Sequence, residues 1–112
     1  AQLTPEAHGL IKEGGQALAP LPNYLRIEGH TDDLPINTPL YPSNWELSTA
    51  RALSVLKVLL EEAGISPQRL SATGYGEYRP VAPNDNEENR SLNRRVDLVI
   101  LKEAFKVTEP HR

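Results

Sequence analysis

Two acidic residues stand side by side in the run Gly29-His30-Thr31-Asp32-Asp33, just past a short alternating segment. Further along, Asn44, Ser48, Arg51 and Val55 recur at spacings of four, three and four, which puts them on one face of a helix. A third group, Asn84, Arg90, Asn93, Arg94 and Arg95, precedes an apolar run. A carboxylate and a guanidinium fork brought together suit a zwitterionic ligand such as an amino acid. The carboxylate takes the ammonium, and the fork takes the carboxylate in bidentate fashion. Asp32 and Arg51 are the candidates, and the plainer alternative is that they pair with each other. The arginines near 90–95 could line a solvated edge, pin a loop through backbone carbonyls, or hold a carboxylate.

Other chemistries fit less well. His30-Thr31-Asp32-Asp33 lacks a second histidine four positions on, and His8 and His111 lie near the ends, so no metal site is expected there. A Ser48-His30-Asp32 hydrolase has no nucleophile elbow to support it. Gly74-Tyr75-Gly76 is a fragment of a nucleotide loop without its third glycine and reads as a turn.

The positioning elements follow from pattern. Thr4 and Pro5 open a helix over residues 5–18, which Gly14-Gly15 weakens and Pro20 and Pro22 end. Residues 24–28 alternate as a strand. A long connection with several prolines, 29–43, follows; such loops are often functional. Ser43 and Glu46 form a capping box for a helix over 44–63, with Ala52, Leu53, Leu56, Leu59, Leu60 and Ala63 as its apolar stripe, opposite the polar one, and Gly64 as its stop. Trp45 and Tyr41 are expected to cover the core beside the helix start. Strands are predicted over 69–73 and 96–101, the latter buried on both faces, with a short helix near 87–92 between them. A right-handed crossover makes strands 24–28 and 69–73 parallel. The fold class is therefore α/β, a two-layer sandwich of helices on one mixed sheet. Three strands make a thin sheet, so an N-terminal edge strand is expected to be missing.

The 112 residues suit one domain, with a core over about 3–102 and a tail over 103–112. No cysteine is present, which excludes disulfides, thiolate metal sites and a cysteine nucleophile. Twelve Lys and Arg against 15 Asp and Glu give a formal charge of -3, which disfavours nucleic acid as a partner. There is no apolar run of membrane-spanning length and no leader pattern, so any export or anchoring signal is expected outside these residues.

The same residues carry a family resemblance. Gly29 through Ile36, then Ser43-Asn44-Trp45-Glu46-Leu47-Ser48-Thr49-Ala50-Arg51-Ala52, resemble the OmpA-like peptidoglycan-binding domain. Gly74-Tyr75-Gly76, Arg79 through Asn84, and Asn93-Arg94-Arg95-Val96 continue the likeness in the same order. The Asp-Asp-x-Pro-Ile segment and the long insert before Ser-Asn-Trp-Glu-Leu-Ser resemble the flagellar stator B subunit type within that superfamily. The resemblance implies a non-catalytic periplasmic domain, without cofactor or metal, that grips the peptide stem of peptidoglycan through diaminopimelate. It assigns ligand binding to Asp32, Asn44, Arg51, Asn93 and Arg94, with Thr31, Asp33, Leu47, Ser48 and Arg90 in support. It also implies a homodimer, a stator A subunit partner reached through a membrane helix outside these residues, and the flagellar P-ring as a candidate partner.

Overall fold

The computed structural model describes residues 2–101; the predicted tail over 103–112 lies outside them. Helix α1 spans Pro5–Leu18, strand β1 Tyr24–Gly29, helix α2 Asn44–Glu61, strand β2 Leu70–Gly74, helix α3 Glu87–Asn93 and strand β3 Val96–Leu101. A single 3-10 turn, Pro67–Arg69, leads into β2. The sheet order is β2-β1-β3, with β1 parallel to β2 and antiparallel to β3. This is the mixed α/β sandwich read from the sequence.

Local chemistry explains the element starts. The Thr4 hydroxyl accepts from the Ala7 amide at 3.1 Å, and Pro5 occupies the first turn, where its missing N–H costs nothing. Ser43 accepts from the Trp45 amide at 3.2 Å and contacts Glu46, which closes the predicted box at α2. Asn86 caps α3 by accepting from the Asn89 amide at 2.8 Å. Helix α2 stops at Glu61, before the predicted limit; Gly64 then takes the left-handed backbone (φ 71°) that turns the chain.

The core is Leu25, Ile27, Ala52, Val55, Leu59, Ala63 and Ile65, with Leu3, Ile11, Leu18, Leu70, Val96 and Leu98 packed around it. Only the central strand shows full alternation of burial, with Leu25, Ile27 and Gly29 facing α2. Three expectations need correction. Strand β3 is not buried on both faces: its other residues are half-buried and Ile100 is exposed, and among the described residues it pairs with β1 alone. The polar and apolar stripes of α2 are not opposed, because Asn44, Ser48, Ala52, Val55, Val58 and Leu59 form one buried strip while Leu53 and Leu60 face solvent. Trp45 does not cover the core; it is 50% exposed and stacks on Tyr78.

Glycines set how closely the layers approach. A Cβ at Gly15 would stand 2.6 Å from Leu59 Cδ2 and 2.7 Å from Ala63 Cβ. This residue, a weak helix former, is therefore where α1 meets α2. A Cβ at Gly29 would lie 1.9 Å from the Ser48 carbonyl oxygen, and one at Gly74 2.2 Å from Thr49 Oγ1. The Gly29 contact is backbone against backbone and cannot be relieved by a rotamer change. Gly29→Ala is therefore expected to destabilise by about 3 kcal/mol or more, at the upper end of overpacking costs. A urea melt read by circular dichroism checks it; a loss below about 1 kcal/mol contradicts the packing described.

Candidate functional site

Helix α2 begins on the C-terminal ends of β1 and β2. The ladders continue one step past the strands: His30 donates its amide to the Arg95 carbonyl at 2.9 Å, Tyr75 to Gly29 at 3.0 Å, and Thr31 to Gly76 at 2.9 Å. Ser48, fully buried, accepts from the Gly76 amide at 2.9 Å and donates to the Trp45 carbonyl at 3.0 Å. The backbone at Thr31–Asp32 is thereby held against the first turns of α2.

Thr31, Asp32, Asn44, Leu47, Arg51 and Arg94 line one cleft of about 230 Å³, walled on its remaining side by Leu34, Pro35 and Ile36. Asp32 is buried, and its Oδ1 accepts from the Leu34 amide at 3.0 Å. Its Oδ2 accepts from Arg94 Nη1 at 2.8 Å. Arg94 also grips Glu87, Nη1 to Oε1 at 3.1 Å and Nη2 to Oε2 at 2.8 Å. Glu87 first, and Asp32 second, raise the Arg94 pKa well above its ordinary value. The same pairing with Arg94 lowers the Glu87 pKa.

Arg51 is half-buried. It donates from Nη1 to the His30 carbonyl at 3.1 Å and has no ion-pair partner among the described residues. Burial lowers its pKa, and the nearby Asp32 charge acts in the opposite direction. The direct Asp32–Arg51 pair weighed from the sequence is thus not formed: Arg94 takes Asp32, and Arg51 faces the cleft beside it. The cleft is lined by one carboxylate, Asp32, and two guanidinium groups, Arg51 and Arg94; Glu87 holds Arg94 and is not part of the lining. With both signs of charge at separate positions, the cleft offers partners to a ligand that carries both charges.

The other predicted residues sit behind or beside this cleft. Asn44, also buried, lines it while donating from Nδ2 to the Leu34 carbonyl at 3.2 Å and the Asp32 carbonyl at 3.4 Å. Asn93, with no exposed surface, is committed to the chain: its Oδ1 accepts from Val81 at 2.8 Å and Ala82 at 3.2 Å, and its Nδ2 donates to the Ala82 carbonyl at 2.9 Å and Asn84 Oδ1 at 2.8 Å. It does not line the cleft. Asp33 pairs with Arg90 at 3.3 Å, and Arg90 also donates to the Asn84 carbonyl at 3.0 Å. Arg95 turns to Asp97, at 3.2 Å from Nε to both carboxylate oxygens. The hydrolase triad is not assembled, since the Ser48 hydroxyl is spent on Trp45 and Gly76 while the His30 ring stacks on Tyr75.

This order of strands, the helix lying on their ends and the charged cleft between them have known counterparts. Residues 1–94 match the model of the OmpA family. The chain belongs to the OmpA family. Motility protein B of Bacillus subtilis is 46% identical over 80 residues, which are 71% of this chain and 31% of that protein. The chain thus spans about a third of that relative's length. The crystal structure of the C-terminal domain of Helicobacter pylori MotB superposes with a TM-score of 0.82 at 32% identity, covering 92% of this chain and 79% of that one. The cell wall anchor of the T6SS from Pseudomonas aeruginosa superposes with a TM-score of 0.83 at 37% identity, covering 92% of this chain and 71% of that one. Among the described residues of this OmpA-family chain, no helix is long and apolar enough to cross a membrane.

Three features escaped the sequence reading. Glu87, which anchors Arg94, lies seven positions before it and on α3, so helical spacing gave no cue once Arg94 fell beyond the helix end. The apolar wall of Leu34, Pro35 and Ile36 was visible as a motif but not as a surface. Arg69, read as the start of a strand, instead donates to the Asn23 carbonyl at 2.7 Å, Ala19 at 2.9 Å and Leu18 at 3.1 Å, closing the C-terminal end of α1. Asn93→Ala removes four hydrogen bonds and strands buried backbone groups, so a loss of about 2–4 kcal/mol in unfolding free energy is expected by denaturant titration. An unchanged midpoint would mean that water replaces the side chain without cost.

Proposed function

We propose that this domain is a non-catalytic peptidoglycan-binding module that fixes a flagellar stator complex to the cell wall, working in the periplasm as one half of a homodimer. The observation that carries the reading is the half-buried Arg51 fork, without a carboxylate partner among the described residues, facing the same cleft as the buried Asp32. A diaminopimelate residue in a stem peptide presents an ammonium and a carboxylate on one short chain. Asp32 takes the ammonium and Arg51 takes the carboxylate. Arg94 can yield part of Asp32 without losing its own partner, because Glu87 holds both of its Nη atoms. Asn44 contributes by fixing the Asp32–Leu34 backbone, and Asn93 by fixing the 81–84 loop, so we assign both a positioning role.

Membership of the OmpA family and the likeness to motility protein B support wall binding and the stator setting. A rotor that exerts torque on a stator needs the stator held to something fixed, and wall contact supplies it. One charge-assisted pair contributes on the order of 1.5–3 kcal/mol, so a single domain holds weakly. Two domains on one complex raise retention through effective concentration. The stator A subunit and the P-ring would be partners of the whole protein through segments beyond this domain.

The likeness to the T6SS cell wall anchor favours a second reading, in which the same cleft serves a secretion-system or outer-membrane anchor. The wall chemistry would be shared; a single membrane helix with a buried aspartate in the longer protein would speak for the stator, and a barrel or a lipidated cysteine for the alternative.

Arg51→Ala and Asp32→Asn are each expected to weaken co-sedimentation with purified sacculi by roughly 10- to 150-fold, the equivalent of one lost charge-assisted contact. Circular dichroism should show both variants folded. Unchanged sedimentation of both would remove the cleft as the binding site. Release of soluble wall fragments by the parent chain, lost in Asp32→Asn, would instead make the domain an enzyme.

A further inference from the structure

The outer face of the sheet carries a second cluster that wall binding does not use. Glu28 on β1 stands directly opposite Asp97 on β3 in the antiparallel register. Like charges placed so are ordinarily unfavourable. His30 is set beside them, with Nε2 at 3.4 Å from Asp97 Oδ2 and 4.0 Å from Glu28 Oε1. The His30 side chain is 3% exposed, yet neither Nδ1 nor Nε2 has a hydrogen-bond partner among the described residues. A buried imidazole with both nitrogens unsatisfied needs a physical reason.

Every other group around the cluster orients it. Arg26 donates to Glu28 Oε2 at 2.7 Å and the Tyr75 hydroxyl donates to the same oxygen at 3.3 Å, which leaves Oε1 turned toward His30. Arg95 holds Asp97 and also donates to the Arg79 carbonyl at 3.0 Å. The Arg79 guanidinium lies over the Tyr75 ring, and Tyr75 stacks on His30 with centroids 5.3 Å apart. Glu28 Oε1 is left open by these contacts, whereas Asp97 Oδ2 also accepts from Arg95 Nε and would share that oxygen with an ion; carboxylates that ligate metals are themselves commonly hydrogen-bonded.

We propose that Glu28 Oε1, His30 Nε2 and Asp97 Oδ2 form a binding site for a divalent transition-metal ion of the zinc type. One donor atom from each residue lies within 4.8 Å of the others. Donors bound at about 2.0–2.2 Å in a tetrahedral shell stand roughly 3.4 Å apart, so small side-chain shifts close the set, with water in the fourth position. One imidazole nitrogen and two carboxylate oxygens suit zinc better than magnesium, which prefers an all-oxygen octahedron. The ion would satisfy Nε2 and bridge Glu28 and Asp97, whose charges Arg26 and Arg95 already offset in part. It would also stiffen the strand end at His30, whose carbonyl holds Arg51 on the cleft side. The metal reading weighed and set aside for His30-Thr31-Asp32-Asp33 shares His30 but not these carboxylates: Asp32 and Asp33 pair with Arg94 and Arg90.

The test uses the whole chain carrying His8→Gln and His111→Gln, which leaves His30 as its only imidazole. Zinc chloride alone is titrated by calorimetry, and cobalt chloride by its visible absorption. One ion per chain is expected, with a cobalt spectrum of low-coordinate type and a raised melting temperature; magnesium chloride should have no effect. Asp97→Asn, at a partly exposed position, should keep the fold and weaken zinc at least about 10-fold. His30→Gln should abolish the cobalt bands. Absence of saturable zinc binding overturns the proposal, and so does zinc binding that Asp97→Asn and Glu28→Gln both leave unchanged.

Discussion

At Gly29 the backbone of β1 and the Ser48 carbonyl of α2 approach so closely that no side-chain atom fits between them. Gly74 repeats the arrangement on β2, and the Ser48 hydroxyl completes it by taking the Gly76 amide. The first turns of α2 are therefore clamped on two strand ends at once. Asn44 and Arg51, on the same side of that helix, arrive beside the Thr31–Asp32 backbone as a consequence. The cleft is a product of this contact, because its acidic half rides on the strand end and part of its basic half on the helix.

The charges are arranged so that the cleft remains usable. A buried carboxylate without a partner is costly, and one locked to a single buried cation is unavailable. Asp32 escapes both outcomes: Arg94 and the Leu34 amide satisfy it, while Glu87 gives Arg94 a second anchor. Arg51 is held in place by a neutral carbonyl, which orients the fork without cancelling its charge. Because Asp32 goes to Arg94, Arg51 faces the cleft without an ion-pair partner among the described residues.

Two residues with the same polar chemistry divide into different tasks. Asn44 and Asn93 are both buried asparagines, and both saturate backbone groups of a loop. Asn44 does so at the rim of the cleft, whereas Asn93 does so beneath the 81–84 loop. Similar polar residues therefore divide into those that line the cleft and those that hold the surrounding backbone in register. Spacing alone does not separate them, since both kinds are polar and lie near charged neighbours.

Much of the architecture was legible in the chain. Caps at Thr4 and Ser43 mark where the two long helices begin, because they satisfy amide groups that the helix itself cannot. The alternation in 24–28 marks the central strand, and the crossover rule makes it parallel to the next. Asp32 and Arg51 were found as candidates from charge and position. Which arginine would take Asp32, that β3 is only half-buried, that Trp45 faces solvent, and that Glu28, His30 and Asp97 converge were all undetermined at that level. Those outcomes depend on register and on interlayer distance, which arise from residues far apart in sequence packing against one another. Local patterns encode the period of an element and its ends; only the assembled layers decide which of its polar atoms find partners and which are left facing a cleft.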